Sequence, residues 1–355
     1  FRGPAAFCWM ELSISSAMQV PKREHCPHIG YLCRGEAGAP QSCEKLHRGT
    51  LDGSLTIPWG TGTMHQPEVE MSTMKEFCWS EPKGWEPLLL EVMPPEQRSR
   101  LMALLPTNLD TQYLDDIEAF WDVYAHVGDR EELAEWIPAH LRSVFGRIWM
   151  FHCCRPVDVG SYYQRGIQVL DVEIANRQFR DIFLGNPRWS WVTERDLDAA
   201  IETMTGTYRR DGHVYFGLDD RYLVEYCGHY LIYGSEYLQA LAARISSGDD
   251  FSGKAELTRF GTPTVFAVSL PISHLSDREL FELGEAALHL WAYRRLHPRK
   301  AKRRLIDFGI GIAKALPPDC LVSHHHPESV PDPTRRRLLY QYKEGRWMPN
   351  PDISA

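Results

Sequence analysis

The 355-residue chain lacks any long run of apolar residues. Arg, Asp, Glu or His interrupts every apolar stretch well before the roughly 20 residues that a membrane-spanning helix needs. The first residues also lack a basic segment followed by a clean apolar core, so no signal peptide is expected. These absences predict a soluble protein without a membrane partner.

Cysteine is sparse as well, with nine residues in the whole chain and no CxxC pair. So few thiols over this length exclude a small scaffold held together by disulfides, and the adjacent Cys153 and Cys154 are unsuited to bonding to each other. A reducing, cytoplasmic setting is therefore expected. The remaining composition, 43% hydrophobic and 24% charged, is typical of a globular protein with one large domain or two smaller ones.

One segment of the chain is unusually basic. The net charge is -8, yet the segment 294–304 (RRLHPRKAKRR) holds seven Lys or Arg and no acidic residue. A largely acidic chain with one basic segment is not typical of a protein that coats nucleic acid. We interpret the segment as the solvated end of a helix; the alternative is a surface that attracts an acidic protein, the phosphates of a bound nucleotide or nucleic acid.

The common catalytic motifs are absent: the chain has no GxxxxGK[ST], no GxGxxG after a strand, no HExxH and no GxSxG. The glycine-rich GIGIAK (309–314) lacks the spacing of a phosphate-binding loop and is interpreted as a turn. Any active site must therefore be recognised from the order and context of single residues.

Three regions follow one another along the chain. Residues 1–70 carry scattered Gly, Pro, Ser, His and Cys and are predicted to be loop-rich or poorly ordered. Residues 71–146 show helical spacing, as in Ile117, Phe120, Trp121 and Tyr124. Residues 147–355 alternate short strands with single helices, which predicts an α+β domain rather than a bundle or a sandwich.

The strands of this last region are predicted from compact apolar and aromatic runs, at 147–152 (RIWMFH), 213–218 (HVYFGL), 229–234 (HYLIYG), 264–272 (TVFAVSLPI) and 320–324 (CLVSH). Helices are predicted after Thr193, after Ser276 with Glu279 in a capping box, and over 157–166, where the helix ends in a turn at Gly166.

Four polar residues recur at notable positions in these elements. His152 ends the first strand, Tyr215 lies on the second, Tyr226 follows eleven positions later, and Glu236 comes where the predicted strand 229–234 passes into a helix. Taken singly, each has an ordinary structural explanation: a satisfied core His, packed tyrosines, and a carboxylate in the first turn of a helix. Their joint order is what suggests a site.

This order resembles the ADP-ribosyltransferases of the diphtheria-toxin and poly-ADP-ribose polymerase class, whose sites combine a His on the first strand, a Tyr on the second and a later Glu. The resemblance covers about residues 147–330 and includes a strand-end His followed by a helix and "RGI", the strand "VYFGLDD", and "SEYLQAL". It implies a domain with two split sheets, preceded by the small helical region.

The resemblance also implies a reaction, with NAD as substrate. Tyr215 and Tyr226 would clamp nicotinamide, His152 would hold a ribose hydroxyl, and Glu236 would be the catalytic carboxylate that stabilises the oxocarbenium-like transition state. After the His the family usually has Gly and Thr, whereas this chain has Cys153 and Cys154. The backbone of Cys153 would still contact the nicotinamide amide, but its bulkier side chain narrows the approach.

Other interpretations remain open. A catalytically silent domain of the same fold would bind NAD, ADP-ribose or a partner without turnover. A metal-dependent hydrolase or nuclease would use the His324–His326 run. A separate zinc site would be formed by early residues of the chain, although their spacing fits no standard finger: Cys26, His28, Cys33, Cys43 and His47. The sequence does not indicate whether the acceptor of ADP-ribose is a protein or a nucleic acid. It also leaves open the oligomeric state and whether the protein is a toxin, a regulator or a defence effector.

Overall fold

The computed structural model describes residues 75–108, 117–204, 212–246, 252–302, 304–342 and 347–349, and all of them belong to one compact unit. The loop-rich segment predicted for residues 1–70, with its Cys and His residues, lies outside the described residues. Among those described, no helix combines the length and the apolar character that crossing a bilayer requires.

The fold is mixed, with helices interspersed among short strands. The described helices are α1 (Pro82–Leu89), α2 (Pro95–Asn108), α3 (Ile117–Tyr124), α4 (Arg130–Val144), α5 (Gly160–Arg165), α6 (Val172–Phe183), α7 (Glu194–Met204), α8 (Asp220–Tyr226), α9 (His229–Tyr233), α10 (Glu236–Arg244), α11 (Ser252–Leu257), α12 (Asp277–Leu296) and α13 (Pro298–Ala301). The strands are β1 (Lys75–Phe77), β2 (Phe145–Cys154), β3 (Val214–Gly217), β4 (Thr264–Pro271), β5 (Gly309–Ile312), β6 (Leu321–His325), β7 (Ser329–Asp332), β8 (Leu338–Gln341) and β9 (Trp347–Pro349).

A mainly antiparallel sheet organises these elements, in the order β5-β3-β2-β4-β6-β9, and β1 joins β2 in parallel. The strands β7 and β8 form a separate two-stranded sheet. The strand β2 is the centre of the large sheet: it pairs with β4 along Arg147–Cys154, but its pairing with β3 is confined, among the described residues, to Phe151 and Gly217. Beyond that point β2 continues beside β4 while β3 continues beside β5, so the two strands part.

The sheet separates two hydrophobic cores because side chains alternate between its faces. Met150 and Phe266 belong to the first core, together with buried residues of α1, α4 and α12. Cys153 and Val265 belong to the second core, which buried residues of α6, α7 and α10 complete. The sheet therefore has one helical layer on each face.

Local signals explain most of the elements. The helix α12 begins at the predicted capping box, in which Ser276 and Glu279 each bond the other's backbone N–H. The helix α5 ends at Gly166, whose φ of +73° is readily adopted by glycine, so the predicted turn is confirmed. The strands predicted at 147–152, 213–218, 264–272 and 320–324 are confirmed as β2, β3, β4 and β6.

Two predictions are wrong. HYLIYG is the helix α9 and not a strand: Leu231, Ile232 and Tyr233 are buried in the second core, and a short run that is apolar on every side gives no usable period. GIGI is the edge strand β5 and not a turn. Its Gly311 lies against the Tyr215 ring, where a Cβ would be 2.8 Å from Tyr215 Cε1, so glycine here admits an aromatic neighbour.

The boundary predicted near residue 146 falls inside β2. Buried residues on both sides of it, such as Phe77 and Phe120 before and Phe266 and Leu283 after, belong to one and the same core. The predicted helical region also contributes β1 to the sheet. A separate helical region stays a prediction, but the described part of it shares its core with the sheet.

Candidate functional site

The point where β2 and β3 part is the first feature of the candidate site. His152 lies one residue beyond the Phe151–Gly217 pair, and its Nδ1 is 2.9 Å from the carbonyl oxygen of Tyr215. Because the carbonyl is an acceptor, Nδ1 carries the proton and donates it, which leaves Nε2 as the acceptor nitrogen of a neutral ring. Burial lowers the pKa of His152, and the bond to the Tyr215 carbonyl opposes this shift. His152 is therefore neutral at physiological pH.

Tyr215 lies on the other side of the gap. Its neighbours Val214 and Phe216 belong to the first core, so alternation turns the Tyr215 ring to the opposite face, where it is 42% exposed. The ring lies against Gly311 of β5 and is roughly parallel to the His213 ring, with 6.4 Å between their centroids. An exposed aromatic ring fixed on a rigid strand is suited to stacking on a flat ligand.

Cys153 faces away from the His152 ring. Its side chain is buried in the second core, and its backbone lies opposite Val265 of β4. Burial raises the pKa of the thiol well above its usual value, with smaller contributions from Cys154 and Asp220. The thiol therefore stays protonated and is not a nucleophile. A backbone contact to nicotinamide, as the resemblance implies, remains a prediction.

Tyr226 ends α8, and its ring is already in contact with two other side chains. The Tyr222 ring stacks on it with 5.0 Å between centroids, and the Arg337 guanidinium lies over it at 5.3 Å. Arg337 is held in turn by an ion pair with Glu225. For Tyr226 to clamp nicotinamide, one of these partners would have to leave its ring.

Glu236 is the first residue of α10, but the residues before it form the helix α9 and not the predicted strand. The two helices meet at Gly234, whose φ is +85°, and the Ser235 hydroxyl caps α10 by accepting the N–H of Leu238. The buried Gln239 ties the junction together, donating to the carbonyl of Gly234 at 2.8 Å. This arrangement holds the Glu236 backbone rigidly.

The side chain of Glu236 is partly exposed, with 22% of its surface accessible, and its Oε1 lies 3.8 Å from Nε2 of the buried His229. The helix α10 packs in the second core, on the same face of the sheet as the Tyr215 ring. The structure thus joins the His152 ring to the backbone carbonyl of Tyr215, but the two rings lie on opposite faces of the sheet, since the His152 ring is 5.6 Å from that of Phe216, a residue of the first core. Tyr226 and Glu236 lie on separate helices, α8 and α10, that pack on the Tyr215 face.

Sequence reasoning overlooked Asp220, which begins α8 just after the tyrosine strand. Burial raises the pKa of Asp220, and the neighbouring Asp219 adds to the shift. Asp219 itself is buried, caps α8 and binds Arg221. The "DD" after VYFGL was the available signal, since only its first Asp caps α8.

The histidine run does not form a metal site among the residues that the structure describes. The His324 ring bonds the Tyr163 hydroxyl at 2.7 Å, and Nδ1 of His326 is 2.8 Å from the carbonyl oxygen of Pro263. Burial lowers the pKa of both His324 and His325 to about 4. These contacts account for the burial of the His324 and His326 rings.

The basic segment lies at the end of α12 and in α13, as predicted for a helix end. Arg294 and Arg295 both pair with Glu86 of α1, at 3.5 and 3.2 Å. The Arg304 guanidinium lies over the Tyr293 ring at 4.3 Å. Three of the basic residues are therefore engaged within the chain.

Comparison with known proteins gives no match: no family model, curated protein or solved structure is significantly similar to this chain. The resemblance to ADP-ribosyltransferases accordingly rests on the motifs quoted above.

Proposed function

We propose that this protein is an ADP-ribosyltransferase that cleaves the nicotinamide–ribose bond of NAD and transfers ADP-ribose to a macromolecular acceptor. One observation carries the proposal: His152 and Tyr215, 63 positions apart, meet where β2 and β3 part. A flat dinucleotide that enters this opening would meet the His152 ring on one face of the sheet and the Tyr215 ring on the other. The split-sheet fold of the family belongs to the same proposal.

The residues of this gap fit the chemistry of NAD. The free Nε2 of neutral His152 accepts a hydrogen bond from a ribose hydroxyl, since its Nδ1 is committed to the Tyr215 carbonyl. The exposed Tyr215 ring stacks on the nicotinamide, which is a flat cation while it is bonded to ribose. Both side chains are held before NAD binds, so little conformational entropy is lost on binding.

Glu236 is the proposed catalytic carboxylate. As the bond between nicotinamide and ribose breaks, nicotinamide leaves with the bonding electron pair and positive charge develops on the ribose. A carboxylate close to that charge lowers the barrier. The acceptor then bonds to the ribose carbon and releases its proton. The rigid junction between α9 and α10 suits this task because it limits where the carboxylate moves.

A direct test measures nicotinamide release and transfer of labelled ADP-ribose with Glu236→Gln. We expect a loss of about 100-fold or more in nicotinamide release, the size typical when one charge-stabilising group is removed. Glu194→Gln is the matched control, since Glu194 is also the first residue of a helix, α7, but is exposed and lies on a different element. Equal rates for Glu236→Gln and the wild type, with both variants folded, would contradict the role of Glu236.

A second candidate is a domain that binds NAD or ADP-ribose without turnover. The ring of Tyr226, already covered by Tyr222 and Arg337, favours this alternative because half of the proposed clamp is engaged. It predicts that NAD raises the melting temperature of the wild type and of Glu236→Gln equally, with no nicotinamide released by either. Measuring binding and turnover on the same samples separates the two functions.

A further inference from the structure

A cavity of about 490 Å³ lies on the face of the sheet that carries the second core. It is lined by Glu76, Cys78, Ser80, Glu81, Trp149, Phe151, Asp220, Ala267 and Ser323. Its size falls in the range of about 300–1,000 Å³ that is usual for small-ligand sites. It is formed by β1, β2, β4 and β6, by Cys78, Ser80 and Glu81 between β1 and α1, and by the start of α8.

Charge and aromatic surface combine in this cavity. Three carboxylates, from Glu76, Glu81 and Asp220, face it together with the rings of Trp149 and Phe151, and no Lys, Arg or His is among its lining residues. A carboxylate forms strong charge-assisted hydrogen bonds with a cation, and an aromatic face attracts one. Anions and uncharged apolar ligands would gain neither interaction.

The aromatic wall is held in place by the cavity's own side chains. The Trp149 indole N–H donates to Glu76 Oε2 at 2.6 Å, and the Ser269 hydroxyl donates to the other oxygen of Glu76. Ser269 accepts in turn from Nε of Arg147 at 2.8 Å. The Arg147 guanidinium is therefore linked to Glu76 through the Ser269 hydroxyl. The ring orientation is thus set without filling the cavity.

The remaining carboxylates face the cavity with less support. Glu81 is exposed at the start of α1, where its side chain does not cap the helix. Burial raises the pKa of Asp220, so its ionised form is disfavoured and would be stabilised by a cation beside it.

We propose that this cavity binds an organic cation of the guanidinium class, such as an arginine side chain, between the Trp149 and Phe151 rings and the carboxylates of Glu81 and Asp220. A guanidinium group matches the cavity because it is flat, is always charged and donates hydrogen bonds from its edge to carboxylates while its face lies on a ring. None of the residues assigned to NAD, which are His152, Cys153, Tyr215, Tyr226 and Glu236, lines this cavity, although Phe151 and Asp220 place it next to the gap between β2 and β3.

Calorimetric titration of the full chain with arginine amide and with citrulline amide tests the proposal, because citrulline has nearly the same shape without the charge. We expect arginine amide to bind at least tenfold more tightly. A Gly-Arg-Gly peptide that binds as well as arginine amide assigns the ligand to a protein side chain, and a peptide that binds tenfold more weakly assigns it to a free small molecule. Equal affinity for the charged and the neutral ligand, or binding of neither, overturns the proposal.

Variants locate the site. Glu81→Gln and Asp220→Asn together should weaken arginine amide at least tenfold, whereas Glu91→Gln, an exposed neighbour outside the cavity, should leave it unchanged. A double variant that binds as tightly as the wild type would overturn the assignment to this cavity. If the double variant fails to fold, the comparison of arginine amide with citrulline amide still tests the proposal, because it uses only the wild type.

Discussion

Arg155 is the residue on which several distant segments converge. It follows β2 directly, and its guanidinium donates to the carbonyl oxygens of Phe260 at 2.7 Å, Leu231 at 2.8 Å and Thr258. The Tyr342 hydroxyl, 3.3 Å away, adds a fourth acceptor. One side chain thereby fixes α9, and so the junction that leads to Glu236, against the end of β2.

We expect Arg155→Lys to lower the free energy of unfolding by about 3 kcal/mol, because an ammonium group cannot reach carbonyls spread around a planar fork and buried acceptors are left without partners. Chemical denaturation measures the change. Arg278→Lys is the control, since Arg278 pairs with Glu282 on an exposed face of α12, and we expect it to change stability by less than about 0.5 kcal/mol. Similar losses in the two variants would contradict the role of Arg155.

The order and context of the residues, and the family resemblance that they carry, suggested His152, Tyr215, Tyr226 and Glu236, and the bond from the His152 ring to the Tyr215 carbonyl places two of them at the same point of the sheet. What the sequence could not indicate is what else each residue touches. The partners of Tyr226 include Arg337, 111 positions away, and Asp220 owes its raised pKa to burial by the tertiary fold. Contacts of this kind depend on topology and leave no local pattern.

At the scale of elements, Gly284 in α12 shows how the packing of two helices determines the residue at their contact. A Cβ at this position would collide with Cγ2 of Ile137 on α4, so the glycine lets the two helices approach closely. Glycine is a poor helix former, and alanine would ordinarily stabilise a helix interior by about 1 kcal/mol. Here close packing outweighs that preference.

Gly284→Ala is therefore expected to destabilise the protein by about 1–3 kcal/mol, the usual cost of overpacking. Gly84→Ala in α1 is the matched control, because nothing lies within 4 Å of a Cβ there, and it should be neutral or stabilising by up to about 1 kcal/mol. Thermal and chemical unfolding of both variants measure the difference. Stabilisation by Gly284→Ala would show that α4 and α12 are not in close contact at this point.

The elements that could be predicted carry strong local signals: the capping box of α12 and the apolar runs of β2 and β4. The elements that could not be predicted depend on distant partners. The strand β5 is half glycine and is held in the sheet by its pairing with β3. The three-residue strand β1 is likewise held by its pairing with β2. The helix α9 is short and buried. Its aromatic and β-branched residues favour a strand, but packing in the tertiary structure stabilises a helix instead.

At the scale of the whole molecule, several histidines are buried between layers and remain uncharged. His289 of α12 is 7% exposed, and its Nε2 has no hydrogen-bond partner within the part of the chain that the structure describes. Its ring lies near that of Phe120, with 5.8 Å between centroids. Burial, with a smaller contribution from Arg304, lowers the pKa of His289 to about 3.

This shift makes stability depend on pH in a definite direction. A histidine in the unfolded chain takes up a proton as the pH falls through about 6.5, whereas folded His289 takes it up only near pH 3, so acid favours the unfolded state across that interval. Between pH 7 and pH 4.5, His289 alone should lower the free energy of unfolding by about 2.5 kcal/mol. His324 and His325, with pKa values near 4, should add to the loss in the same direction.

His289→Leu should remove its own share of this loss, so that the free energy of unfolding of the variant falls about 2.5 kcal/mol less than that of the wild type between pH 7 and pH 4.5. Urea denaturation at a series of pH values measures both slopes. His126→Leu, which removes an exposed imidazole, is the control. Because the leucine also replaces a buried ring nitrogen that lacks a partner, the variant should retain its fold at pH 7. Equal slopes in His289→Leu, His126→Leu and the wild type would mean that His289 is not buried between α3 and α12.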